Sequence, residues 1–241
     1  MAWYKDWFNS PYYHILYGQH NDAEAALFID HLADLLQFKN HQFALDLACG
    51  KGRHSKQLAN HGLVVTGIDL SEESIKAAQA FAADNLNFEV HDMRKVYKKM
   101  NFDYVFNLFT SFGYFANPDD NIATLTAVKD NLKVHGCFVQ DYFNAPCVIN
   151  QMVSHNEINT GGILFKITKE IKEKKIIKTI AFNDQGEHYQ FNEEVDLFTL
   201  SDFEALYKQA GLKIEHIFGD YQLGAYDPNQ SKRLILISKP L

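Results

Sequence analysis

The sequence predicts an α/β fold with a mostly parallel sheet, helices on both faces and an antiparallel β segment inserted late in the chain. Three observations carry this. From residue 43 onward, short apolar runs alternate with amphipathic stretches, the pattern of repeated βα units. The first run, Phe43–Leu47, passes into Ala48-Cys49-Gly50-Lys51-Gly52 and then a helical stretch, the way a first strand hands over to a helix in a nucleotide-type sheet. Between 158 and 200 the alternation gives way to β-rich segments parted by polar turns, which reads as a meander.

Taken in order, residues 1–20 are rich in aromatics and are divided by Pro11 into two short pieces. Residues 22–37 form a helix with Asp22 as N-cap and Ala26, Ile29, Leu32, Ala33 and Leu36 on one face. Strands are expected at Phe43–Leu47, Val64–Ile68, Leu86–Val90, Phe102–Leu108 and Cys137–Tyr142. The helices between them are expected at Arg53–His61, closed by Gly62, at Glu72–Ala83 after Ser71, and at Asp119–Asn131 after Pro118. The meander uses Ile163–Ile171, Ile176–Phe182 and Tyr189–Leu197, with a solvated turn at Lys172–Lys175. A helix at Ser201–Ala210, capped by Gly211, and strands at Lys213–Phe218 and Arg233–Ser238 close the chain. The expected units are 1–40, an aromatic lid and helix; 41–146 with 201–241, the α/β domain; and 147–200, the β insertion.

Composition narrows the function classes. Of 241 residues, 46% are hydrophobic and 22% charged, enough apolar content for a sizeable core. The net charge of −7 argues against a broad nucleic-acid face. Cys49, Cys137 and Cys147 are odd in number and widely spaced, which gives neither a disulfide framework nor a zinc pattern. Together with an N-terminus that lacks a leader pattern and the lack of a run long enough for a membrane span, this points to the cytoplasm.

The chemistry gathers at strand ends. Asp46 precedes the glycine turn and Asp69 ends the second strand, 17 residues after Gly52. That is near the ~20 residues expected of a carboxylate gripping a ribose diol. His91-Asp92-Met93-Arg94 ends the third strand, placing an acceptor for an adenine amino group beside a side chain that packs on the ring. Position 55 is serine, not the third glycine of a dinucleotide fingerprint, and the turn is too short for a phosphate-binding loop of the Walker type. The carboxylates suit a ligand with amines and a diol, whereas a phosphate wants donors.

Asp46-x-Ala48-x-Gly50-x-Gly52, Asp69, Asp92-Met93 and the strand end at Asn107 resemble class I S-adenosylmethionine-dependent methyltransferases over about residues 40–145. Leu45–Ser55, His91–Arg94 and Asn107–Phe115 look closest to bacterial small-molecule enzymes with a β insertion after the fifth strand. The resemblance implies a Rossmann-like seven-stranded sheet of order 3-2-1-4-5-7-6 with an antiparallel last strand. It implies S-adenosyl-L-methionine as cofactor and S-adenosyl-L-homocysteine as product. By position, Asp46 acts near the cofactor's amino end, backbone at Ala48, Gly50 and Gly52 lines methionine and ribose, Asp69 holds the ribose hydroxyls, Asp92 and Met93 meet adenine, and backbone at Asn107 meets the amino group; Leu70 is a further cofactor-binding candidate.

On the acceptor side, Tyr13 and Tyr17 share a helical face and, with Tyr12 and His14, are candidates to line the pocket. Phe112, Tyr114 and Phe115 serve either as core or as pocket wall. Asp141 and His14 are the candidate general bases, with His54 and His188 behind them; no metal ligands are expected. Asn107-Leu108-Phe109-Thr110 lacks the Asn/Asp-Pro-Pro-Tyr/Phe motif of enzymes acting on base amino groups. The acceptor is therefore expected to be a small molecule methylated at N or O, with no nucleic acid or membrane partner. The insertion covers its pocket or mediates homodimer contact. The competing readings are a non-catalytic cofactor-binding sensor or scaffold and an RNA or protein methyltransferase.

Overall fold

The computed structural model describes residues 3–18 and 22–241. The expected alternation is present. Strand β1 (Phe43–Leu47), helix α4 (Arg53–Asn60), β2 (Val64–Asp69), α5 (Glu72–Ala78), β3 (Leu86–Val90), β4 (Phe102–Asn107), α6 (Asp119–Asn131) and β5 (Leu132–Phe143) follow in order. Ahead of them lie α1 (Trp3–Phe8), α2 (Pro11–Tyr17) and α3 (Asp22–Leu36). After them come α7 (Ala145–Asn150), β6 (His155–Thr160), β7 (Ile163–Lys172), β8 (Lys175–Asp184), β9 (Glu187–Asp196), α8 (Leu200–Ala210), β10 (Leu212–Phe218) and β11 (Arg233–Pro240).

The main sheet runs β10-β11-β5-β4-β1-β2-β3. Counting only its own strands, that is 3-2-1-4-5-7-6. The five central strands pair in parallel, and β11 runs antiparallel to both β5 and β10. Alternating side chains along each strand serve opposite faces. Tyr104 and Phe106 of β4 join the core under α3, α4 and α5, while Phe102 and Val105 join the core under α6 and α8. The sheet is thus buried on both faces, and its polar carboxyl edge is left for a ligand.

The insertion is a separate four-stranded sheet, β6-β7-β8-β9. Its first strand, with the sequence His-Asn-Glu-Ile-Asn-Thr, and the short α7 escape sequence reading. The strand is a polar edge with no buried residue, and α7 is six residues long. The aromatic N-terminus does not pack on the α/β domain as a unit with α3. Trp7 and Leu16 share a core with Ile163, Phe165, Ile167, Ile180 and Phe182 of the insertion, whereas Phe28, Ile29 and Leu32 of α3 belong to the main sheet. Pro11 separates α1 from α2 by opening α2 as its first residue, where its missing N–H costs no hydrogen bond.

Candidate functional site

Three adjoining cavities lie over the carboxyl edge of the sheet, and Tyr13 lines all of them. The first, about 150 Å³, has Ala48, Gly50, Asp69, Leu70, Asp92 and Met93 as its floor. Tyr4 and Phe8 from α1, with Tyr114 and Phe115, form its roof. Asp69 ties the floor together. Its Oδ2 accepts the Gly50 N–H at 2.9 Å and its Oδ1 the Ser71 N–H at 2.8 Å. Each oxygen keeps a further acceptor direction, the requirement for a vicinal diol. Burial pushes this carboxyl above its ordinary value, against those backbone hydrogen bonds.

The glycines of the turn divide their work. Gly50 has φ +56°, and a Cβ there would meet nothing within 4 Å, so it opens directly onto the cavity. Gly52 has φ +81°, and its Cβ would stand 2.5 Å from the Phe88 ring, so it serves helix–strand packing rather than a ligand. Asp46 is likewise behind the turn. It is 2% exposed, and its Oδ2 accepts the Ser55 hydroxyl at 2.5 Å. Burial pushes its carboxyl up to about 7. The serine at position 55 is thus the partner that fixes Asp46, and neither residue lines any of these three cavities.

Three other expectations change. The Asp92 carboxylate receives Nη2 of Arg94 at 2.6 Å, its Nε at 3.0 Å and its backbone N–H at 3.0 Å. Arg94 also reaches Asp120 at 2.8 Å. Burial alone would raise the Asp92 carboxyl, but Arg94 holds it below the ordinary range. The acceptor expected on the adenine side is therefore shared with a guanidinium that itself lines the cavity. Asn107 is 1% exposed and sits behind the wall, its Nδ2 donating to the Leu47 and Ser111 carbonyls. Leu108, Phe109 and Ser111 line the cavities in its place. Tyr12 packs on Phe182 and Tyr189 and donates to Asp184, away from all three cavities.

Asp141 is not placed to act as a base. Its carboxylate accepts Nε of Arg233 at 2.7 Å, the Phe109 N–H at 2.8 Å and the Tyr221 hydroxyl at 3.1 Å. These bonds clamp a turn in which Phe109 and Thr110 have φ +58° and +59°; Arg233 also donates to Thr110 Oγ1 at 3.0 Å. His14 opens on the third cavity, beside Lys51 and the glycine turn, where burial and then Lys51 lower its basicity. His54 lines the same cavity. His188 is exposed near the start of β9, bonded to Asn183 on β8. Of the aromatics left open by the sequence, Phe112 is core, while Tyr114 and Phe115 are wall.

The second cavity, about 270 Å³, shares Phe8, Tyr13, Phe109 and Tyr114 with the first and extends under the insertion. Lys178 of β8 and Glu193 of β9 line it, and the sequence reading passed over both. Glu193 accepts Nε1 of Trp7 at 2.7 Å and the Tyr17 hydroxyl at 2.8 Å, and lies 3.3 Å from Nζ of Lys178. Lys178 also donates to the Tyr17 hydroxyl. The signal was present: β8 and β9 alternate inward as Ile176, Lys178, Ile180, Phe182 and Tyr189, Phe191, Glu193, Val195, one charge interrupting each apolar stripe. Among the described residues no group of His, Cys, Asp and Glu could hold a metal ion, and no helix is long and apolar enough to cross a membrane.

Residues 44–136 match a family model described as a methyltransferase domain. A putative methyltransferase of Bacillus subtilis, YqeM, is 29% identical over 187 residues, covering 73% of this chain and 76% of that protein. The dTDP-3-amino-3,4,6-trideoxy-alpha-D-glucopyranose N,N-dimethyltransferase of Streptomyces venezuelae is 24% identical over 198 residues, covering 78% and 83%. A solved S-adenosylmethionine-dependent methyltransferase from Clostridium acetobutylicum shares the fold with a TM-score of 0.79 at 20% identity, over 95% of this chain and 96% of that one. The sugar N-methyltransferase KedS8 from Streptoalloteichus shares it at 0.74 and 20% identity, over 96% and 93%.

Proposed function

We propose that this chain, which belongs to the class I S-adenosylmethionine-dependent methyltransferases, moves a methyl group onto an amino group of a small molecule. S-adenosylmethionine is the cofactor and supplies, when bound, a methyl activated on a sulfonium. The residues fit it: Gly50 leaves a cradle that any side chain would fill, and the carboxylates of Asp69 and Asp92 line the floor, with the Arg94 guanidinium there engaged by Asp92 and Asp120. Asp69 would hold the ribose hydroxyls with Leu70 against the sugar. Met93 would pack on adenine, with Asp92 and Arg94 toward its amine, and backbone at Ala48 and Gly50 would follow the methionine part. Asp46 would act only through Ser55 and the turn.

The observation that carries the acceptor reading is the shared wall of the first two cavities. Phe8, Tyr13, Phe109 and Tyr114 border both, so a methyl presented from one side faces a second space walled by rings and by Glu193. Rings and a carboxylate favour a nitrogen that gains positive charge as it is methylated. The Streptomyces venezuelae relative, named for N,N-dimethylation of an amino sugar, supports nitrogen over oxygen. The chain's part in the transfer is to align nucleophile and methyl and exclude water, with α1, α2 and the insertion as cover. Three free cysteines support a cytoplasmic setting.

The test is to incubate the protein with methyl-labelled cofactor and the low-molecular-weight fraction of a bacterial extract. Label is expected in an amine-bearing small molecule that resists nuclease and protease. Cofactor binding without transfer, or label only in RNA or protein, would overturn the proposal.

A further inference from the structure

The stripe formed by β8 and β9 holds an anomaly. In the observed register Ile176 faces Val195, Lys178 faces Glu193, Ile180 faces Phe191 and Phe182 faces Tyr189. Three of these four pairs fill a core with apolar or aromatic atoms. The fourth is an ion pair with side chains 17% and 16% exposed. A buried pair rarely adds stability over apolar residues of like volume, because removing two charges from water costs as much as their attraction returns. Packing alone therefore does not account for Lys178 and Glu193, and their position on the wall of the second cavity does.

From this placement we propose that Lys178 is the base that takes the proton lost by the acceptor nitrogen, with Tyr17 and Glu193 as its positioning residues. This rests on the amine-acceptor reading above. An amine reaches a neutral-pH site chiefly as an ammonium ion, which has no lone pair to attack with. In the step proposed, Lys178 first releases its own proton to water, R–NH3⁺ then gives one proton to the neutral amine so formed, and the freed nitrogen pair forms the N–CH3 bond. The S–CH3 bond breaks with its electron pair left on sulfur, and the Lys178 ammonium later returns its proton to water. Asp141 is excluded by its three donors. Arg233 lines the same cavity but does not deprotonate in proteins.

Every charge packed about Lys178 bears on its proton. Burial lowers its basicity first, Glu193 of β9 raises it through charge and hydrogen bond, and Lys169, opposite on β7, lowers it again. Tyr17 of α2 touches it, and its nitrogen lies 4.6 Å from that ring's centre. Arg233 of β11 and Tyr13 and Tyr114 line the same cavity. The charge of Glu193 also reaches Tyr13 and Tyr114, the shared wall, whose phenols burial and then neighbouring charges push up.

Two measurements decide the matter. In the first, full-length protein carrying ε-¹³C lysine is titrated by NMR with S-adenosylhomocysteine bound, the Lys178 signal being assigned with Lys178→Arg. Lys178 is expected to lose its proton at lower pH than an ordinary lysine, because burial disfavours its charge, and at lower pH still in Glu193→Gln. Titration at or above the ordinary value would show a structural ion pair and overturn the proposal, whatever the acceptor proves to be.

In the second, initial label transfer to the extract fraction is compared for wild type, Lys178→Met and Lys178→Arg. Both variants are expected to lose about 10²-fold or more near pH 7, within the range for general-base catalysis. The loss is expected to shrink near pH ~9.5, where a far larger share of the amine arrives unprotonated than at pH 7. Arginine keeps the charge and the pair with Glu193 but cannot act as a base. Rescue by Lys178→Arg, or a loss independent of pH, would overturn the proposal. Lys178→Met/Glu193→Met keeps an apolar stripe, so folding is expected to survive in it, while cofactor binding weakens because the Trp7 indole and the Tyr17 hydroxyl lose their acceptor. A wild type that labels nothing would count against the amine reading alone, and the titration would still decide the base.

Discussion

Two glycines separated by one residue are expected to fail in different ways when replaced by alanine. Gly50 and Gly52 both have positive φ, +56° and +81°, which costs an L-residue about 1–2 kcal/mol. The same turn already carries Ala48 at +54°, so the backbone can bear alanine there. Gly50→Ala adds only that strain, because its new methyl meets nothing within 4 Å. Gly52→Ala also drives a methyl to 2.5 Å from the Phe88 ring. That ring is 2% exposed and packed in the core, so about 1–3 kcal/mol of overpacking is added. At roughly 2–4 °C per kcal/mol for a chain of this size, Gly50→Ala lowers Tm by about 2–8 °C and Gly52→Ala by about 4–20 °C. S-adenosylhomocysteine affinity, measured calorimetrically below both transitions, is expected to reverse the order. Gly50→Ala loses about tenfold or more, equivalent to ~1.4 kcal/mol, and Gly52→Ala stays within about threefold. Equal Tm values, or wild-type affinity in Gly50→Ala, would refute this division of labour.

Other outcomes follow from the same geometry. Asp69→Ala removes the acceptor for the Gly50 and Ser71 N–H groups and is expected to weaken S-adenosylhomocysteine binding by about 10²-fold, as loss of two hydrogen bonds to a charged group implies; calorimetry checks it. Asp141→Asn leaves the Arg233 guanidinium without its counter-charge and is expected to cost about 3–5 kcal/mol by urea unfolding, while the pH profile of the surviving activity keeps its shape. Asp46 has a folded-state pKa raised to about 7, above its unfolded value of about 3.9. Its contribution to stability is therefore full below pH ~4 and is lost as pH rises to about 7. Asp46→Asn is expected to flatten that part of the Tm–pH curve, and an unchanged slope would refute the assignment. Trp7→Ala, at the junction of α1 and β9, is expected to weaken cofactor binding at least about fivefold through loss of order in the roof, although Trp7 does not line the first cavity; unchanged affinity in calorimetry would refute that link.

The parts of the molecule that could be read from sequence are those whose signal is local. The alternation of apolar runs and helical stretches marks the strands of the main sheet. The glycine turn followed by Asp69 marks the ligand edge, because strand ends and turns are specified by neighbours in sequence. What could not be read is which side of the turn a side chain faces. Asp46 and Asp69 look alike in sequence, yet one is bonded to Ser55 behind the turn and the other lines the cavity. Asp92 looks like an open acceptor until Arg94, two residues on, folds back onto it. Asp141 stands at the right end of the right strand, but Arg233, from the last strand of the chain, occupies it. Lys178 and Glu193 become a pair only through the register of β8 on β9, which depends on where the turn at Asp184–Glu187 falls.

The N-terminal helices and the insertion are far apart in sequence but form one wall. Trp7 and Leu16 are buried in the insertion's own core, and the indole of Trp7 and the hydroxyl of Tyr17 both end on Glu193. Tyr4, Phe8 and Tyr13, which roof the first cavity, therefore hang from the sheet that lines the second. A ligand in either cavity meets the same helices, since Phe8 and Tyr13 line both, and is expected to order them. The second ligand then meets a wall already ordered, so part of the conformational cost falls on the first to bind. Because such coupling is reciprocal, a ligand in the second cavity is expected to tighten cofactor binding by the same factor. The region where sequence said least about chemistry thus joins the walls of the two cavities, and Lys178 and Glu193 line the second of them.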